Sequence, residues 1–164
     1  MRHLFAAITA VLLGGCTAPL PTRTPLPNGS TFPIASAVEV AGGLSTIYLS
    51  GQVPPNLDAT PGSGRAGIYG VDTKTQTEGT LQAIERTLAG LGLTLGDVIK
   101  MQVFLVADSN KGGRMDFAGF MDGYTRFFGT AAQPNLPTRS VFQVVALANP
   151  AFLVEIEVVA VRPR

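Results

Sequence analysis

The sequence is poor in the side chains that carry much of protein chemistry. It has one histidine, one cysteine and no tryptophan, and the histidine and cysteine are His3 and Cys16. Everything after Cys16 therefore lacks imidazole and thiol. That excludes a Ser-His-Asp triad or a Cys–His pair in the body of the chain. It leaves no histidine- or cysteine-rich metal site and makes an intramolecular disulfide impossible. Charge is scarce as well: 14% of residues are Asp, Glu, Lys or Arg, against 46% hydrophobic. No basic block occurs, so a nucleic-acid partner has no electrostatic footprint. A length of 164 residues suits one domain with a sizeable core.

What is present begins with a leader. Met1-Arg2-His3 is a short basic start, and Leu4 to Leu13 is an apolar run too short to span a bilayer. "LLGGC" (12–16) follows, a leucine, small residues and a cysteine, as at a bacterial lipoprotein cleavage site. Residues 1–15 are expected to be the signal peptide, with Cys16 taking the lipid. Their removal takes Arg2 away and leaves the mature net charge at zero. The alternative is an ordinary secretory leader with a stray cysteine. Residues 16–29 hold four prolines in "TAPLPTRTPLPNG" and are expected to form an extended linker. The domain is expected to run over 30–164. Thr17, not aspartate, follows the cysteine, which directs the expectation to the periplasmic side of the outer membrane.

Within the domain, residues 37–53 predict two short strands joined at Ala41-Gly42-Gly43 as a hairpin. Thr73 to Leu91 predicts a helix, with Leu81, Ile84, Leu88 and Leu91 on one stripe. Asp97–Val106 predicts a strand with one wholly apolar face. Met115–Phe128 predicts a second helix carrying Phe117, Phe120, Met121, Tyr124 and Phe128 as a core stripe. Ser140–Leu147 and Phe152–Val161 predict two closing strands. The order ββαβαββ gives an α+β sandwich, two helices on one face of a mixed sheet. On the last strand, Leu153, Val159 and Val161 share the second face with Glu155 and Glu157, an apolar excess that self-association would cover.

Five stretches together resemble the Rid (RidA/YjgF) family of reactive intermediate deaminases: "YLSGQVP" (48–54), "GDVIKMQVFL" (96–105), "DFAGFMDGYTRFF" (116–128), "PTRSVFQVVAL" (137–147) and "VEIEVVAV" (154–161). The resemblance implies a chorismate-mutase-like (ferredoxin-like) fold. It also implies a homotrimer with a central barrel of sheets, clefts between subunits, and no metal or organic cofactor. It implies hydrolysis of 2-imino and 2-enamino acids to 2-keto acids and ammonia. On this basis Arg139 is the expected clamp for the substrate carboxylate, its forked donors matching a carboxylate bidentately. Glu155 is the expected acid/base residue near the imine and its water. Ser50, Gly51, Ile34 and Val141 are the expected substrate-binding neighbours. Two of these depart from the family pattern, which usually has an aromatic hydroxyl where Ile34 stands and often a cysteine where Val141 stands. Met121 stands where asparagine is frequent. A second class of function stays open, a non-catalytic protein that uses Arg139 to hold a small carboxylic acid. No nucleic-acid partner is expected, and the membrane is met only through the lipid.

Overall fold

The computed structural model describes residues 20–57 and 68–163. The leader and Cys16 lie outside them.

The main sheet contains β3 (Leu44–Gln52), β7 (Val154–Pro163), β4 (Val98–Asp108) and β6 (Thr138–Val144), side by side in that order. The pairs β3–β7 and β7–β4 are antiparallel, while β4–β6 is parallel. A two-residue strand, β5 (Arg114–Met115), pairs with the end of β4. Helices α1 (Thr73–Gly90) and α2 (Phe117–Tyr124) cover one face. The mixed α+β sandwich expected from the sequence is therefore the observed fold.

The alternation along β4 and β7 explains which face is buried. Met101, Val103 and Leu105 of β4 and Val154, Ile156 and Val158 of β7 point under the helices and are 0–2% exposed. They meet Leu81, Ile84 and Leu88 of α1 in one cluster with Phe120, Tyr124 and Phe128. Fully burying one such aliphatic side chain contributes about 1.5–3 kcal/mol. Asp72 caps α1 by accepting from the Thr75 amide at 2.7 Å. The helices approach closely where Gly123 of α2 meets Thr77 of α1. A Cβ there would come within 2.9 Å of the Thr77 side chain.

Four expectations are corrected. The helix predicted over Met115–Phe128 is shorter, Phe117–Tyr124: past Thr125 the chain continues in turns and passes through Gly129 at φ +74°. The hairpin over 37–53 does not form: β2 (Ala37–Glu39) pairs instead with β1 (Thr22–Thr24). The proline-rich stretch is thus not a free stalk from Thr22 onward. Its folding follows from Arg23, which donates Nε to the Leu136 carbonyl at 3.1 Å and Nη2 to those of Gly96 (2.8 Å) and Val98 (3.3 Å). Burial holds Arg23 below the ordinary arginine value, opposed by the nearby Asp97 carboxylate. Finally, Val161 is 2% exposed within the single chain and is not part of an open apolar face.

That second face is nevertheless uncovered elsewhere. Tyr48 is 79% exposed and Phe142 is 47% exposed, with the Phe142 ring stacked on Phe104 at 6.2 Å.

Candidate functional site

Arg139 is the second residue of β6 and stands opposite Met101 in the parallel register. Paired residues share a face, so its side chain enters the helix-covered side. There the guanidinium lies over three rings, at 4.2 Å from Tyr124, 5.1 Å from Phe120 and 5.4 Å from Phe32. Tyr124 and Phe120 come from successive turns of α2. Phe32 comes from the segment after β1, which two bonds pin: the Tyr124 hydroxyl donates to the Pro33 carbonyl at 3.0 Å, and the Ala35 amide donates to the Pro137 carbonyl at 3.0 Å. The same segment sets Ile34 beside the arginine.

The donors of this guanidinium are poorly used. Nη2 donates to the Met121 thioether at 3.2 Å, a weak acceptor. Nη1 is buried and has no hydrogen-bond partner. Burial holds Arg139 below the ordinary arginine value, while the Tyr124 phenol favours the charged form. The same burial pushes Tyr124 up to about 12, with the Arg139 charge acting in the opposite direction. Each ring contact contributes about 0.5–2 kcal/mol. An unmet buried donor costs about 1–3 kcal/mol. Arg139 is thus a held, charged group with donor capacity left over. It lines a cavity of about 330 Å³ together with Leu26, Ile34, Ala35, Met101 and Ser140. That size is at the lower end of the ~300–1,000 Å³ typical of small-molecule sites.

Glu155 occupies a different place. It pairs with Phe104 across β4–β7, one residue out of phase with the buried Val154 and Ile156, and so faces the uncovered side. Its carboxylate fills the space that a side chain on Gly51 would need. Gly51 lies where the β3–β7 register shifts between Leu49 and Gln52. Any larger residue there would displace the glutamate.

The expected site residues therefore fall into two groups. Arg139 and Ile34 share the cavity. Ser50 and Gly51 lie at the far end of β3 with Glu155 on the second face. Within one chain Arg139 and Glu155 lie on opposite faces of the sheet, so one protomer does not bring the clamp and the carboxylate together. Val141, expected in the binding pocket, pairs with Val103 and packs against the core. Glu157 faces the same way as Glu155, opposite Gln102. Sequence reasoning missed Phe32 as part of the arginine's surroundings, and took Phe120 and Tyr124 for core alone. They are core, and they also form the floor on which Arg139 rests. The four-residue spacing of Phe120 and Tyr124 was the available signal.

The arrangement is a small α+β sandwich with a ring-bedded arginine that has an unused donor and lies beside a cavity. The chain belongs to the family described as endoribonuclease L-PSP, whose family model matches residues 30–162. It is 33% identical over 116 residues to the 2-iminobutanoate/2-iminopropanoate deaminase of Escherichia coli (strain K12), covering 71% of this chain and 79% of that protein. It is 34% identical over 130 residues to a RutC family protein of Haemophilus influenzae, covering 79% and 87%. The crystal structure of E. coli TdcF with bound serine is similar at 32% identity and a TM-score of 0.55, covering 85% of this chain and 94% of that one.

Proposed function

We propose that the protein hydrolyses reactive 2-imino and 2-enamino acids to 2-keto acids and ammonia, as a homotrimer held at the cell envelope. The observation that carries this is Arg139, a partly buried residue whose Nη1 is buried without an acceptor and which is among the residues lining a cavity of small-acid size. A carboxylate supplies the acceptors the fork is missing. Deaminase relatives at about one-third identity support the reaction class.

The chemistry needs few groups. C2 of a 2-imino acid is already electrophilic, so anchoring the carboxylate and positioning one water supply much of what is required. Water adds to C2 while Glu155 takes its proton and passes it to nitrogen, giving a carbinolamine. Glu155 then takes the hydroxyl proton and delivers it to nitrogen as the C=O bond forms and the C–N bond breaks, so that ammonia leaves from the 2-keto acid. Since the two side chains occupy opposite sheet faces, this scheme requires Glu155 from one subunit and Arg139 from another. The uncovered face carrying Tyr48, Phe104 and Phe142 suits burial against further copies.

The purified protein is expected to release ammonia and keto acid from freshly generated imino acids, and to scatter light as a trimer at micromolar concentration. A monomer mass would defeat the shared site. The second reading, a non-catalytic holder of small carboxylic acids, is favoured by Ile34, an alkyl group where the family pattern has a hydroxyl. Binding of 2-keto acids with no ammonia release would establish it.

The envelope assignment rests on "LLGGC". With β1 beginning at Thr22, residues 17–21 can span at most about 18 Å, so the anchored domain would sit close to the bilayer. Three anchors per trimer would make attachment stable, as a single acyl chain does not. Cys16→Ser is expected to leave the precursor uncut at this site and unlipidated, judged by mass and detergent partitioning. Normal cleavage of that variant, with wild-type protein recovered soluble without detergent, would identify an ordinary secretory leader.

A further inference from the structure

We propose that Met121 is a redox-sensitive positioning residue for Arg139, and that oxidation of its thioether to the sulfoxide shuts the anion site. This rests on the reading of Arg139 as the carboxylate clamp.

The contact is direct. Met121 Sδ lies 3.2 Å from Arg139 Nη2, while Nη1 is buried without a partner and the faces of the guanidinium meet rings. A thioether is a weak acceptor, so it orients the fork without competing with a carboxylate for it. A sulfoxide oxygen is different in kind, since oxidation makes the side chain polar. Carried on a sulfur already touching the guanidinium, the oxygen would accept a charge-assisted bond from the donors that a ligand would use. It would also add an atom to a space bounded by Phe120, Tyr124 and Phe32.

The step balances with a peroxide as oxidant. A sulfur lone pair attacks the peroxide oxygen, the O–O bond breaks, an S–O bond forms, and water or an alcohol leaves. Sulfur loses two electrons and the peroxide gains them. Thiol-dependent methionine sulfoxide reductases reverse the change. Exposure separates Met121 from Met101. Met101 is 0% exposed beneath the helices, whereas Met121 is only partly buried on α2. Met115 is partly buried too, against the same core, but sits in β5 at the end of β4.

The test treats the purified protein with hydrogen peroxide and locates the added oxygen by peptide mass spectrometry. Two properties are then followed: the guanidinium nitrogen NMR resonances of Arg139, and calorimetric binding of 2-oxobutanoate. Oxygen is expected on Met121, with displaced Arg139 resonances. Affinity should fall about tenfold or more, the scale of one charge-assisted hydrogen bond. Treatment with the reductase should restore both. Met115→Leu should respond as wild type does, and Met121→Leu should show neither change on treatment, whatever its starting affinity. Oxidation that bypasses Met121, a Met121 sulfoxide that leaves the Arg139 resonances in place, or a response that persists in Met121→Leu would overturn the proposal. If the untreated protein binds no 2-oxobutanoate, the carboxylate reading of Arg139 fails. The resonances then still decide whether the sulfur controls the guanidinium.

Discussion

Arg139→Ala is expected to abolish measurable binding of small 2-oxo acids while the protein remains folded. Two charge-assisted hydrogen bonds from the fork are lost, each worth about 1.5–3 kcal/mol, so affinity should drop by a hundredfold or more on the order-of-magnitude scale of such bonds. The folding cost is smaller than for an ordinary buried residue. The substitution removes favourable contacts with Tyr124, Phe120 and Phe32, but it also removes a desolvated charge and its unmet Nη1 donor. These terms oppose one another. Arg139→Lys separates charge from shape: it keeps the cation but loses the planar fork, and should recover only part of the affinity. Calorimetry with 2-oxobutanoate measures the first effect and thermal unfolding the second. Affinity unchanged in the alanine variant would remove Arg139 from the site, and a collapsed unfolding transition would make its role one of packing.

The fold was legible because its main signals are local. The Leu81, Ile84, Leu88 stripe and the alternation along β4 and β7 each follow from a few consecutive residues, and each matches the buried set. What failed was non-local. The strand Thr22–Thr24 was hidden by the prolines around it. Arg23 finds its acceptors at Gly96, Val98 and Leu136, more than seventy positions away, and no window of sequence displays that. The hairpin expected at Gly42-Gly43 failed for the same reason, since β2 had a competing partner in β1.

The site divides along similar lines. Arg139 and Glu155 were singled out by the resemblance to the Rid family, whose clamp and acidic residue fall at these positions. Their separation by the sheet could not be read this way, because it depends on register. A slip of one residue between β4 and β6 would exchange the faces of Arg139 and Ser140, and nothing in residues 137–147 alone fixes that choice. The fork's surroundings were hidden for a further reason. An aromatic stripe on a helix serves as core in most proteins. Here Tyr124 does both, with a ring stacked on Phe128 at 5.0 Å and a hydroxyl bonded to Pro33 that holds Phe32 and Ile34 near the arginine.

Glu155→Gln is expected to lower imine turnover by about a hundredfold or more, the range of general acid–base catalysis, while 2-oxo acid binding persists. Glutamine keeps the shape that fits over Gly51 but can neither take a proton from water nor return one to nitrogen. The larger consequence lies in mixing. Arg139 faces the helices and Glu155 faces away from them, so a working site in the proposed trimer must draw the two from different subunits. An Arg139→Ala subunit still offers Glu155, and a Glu155→Gln subunit still offers Arg139. Unfolded together at equal amounts and refolded, the two inactive variants should regain about a quarter of wild-type activity, because each shared cleft needs one ordered pairing of subunits out of four. Refolding each variant alone should give nothing. Activity that stays absent from a well-formed mixed trimer would mean that both groups act from one chain. Full turnover in Glu155→Gln alone would leave water activation to another residue and remove the glutamate from the mechanism.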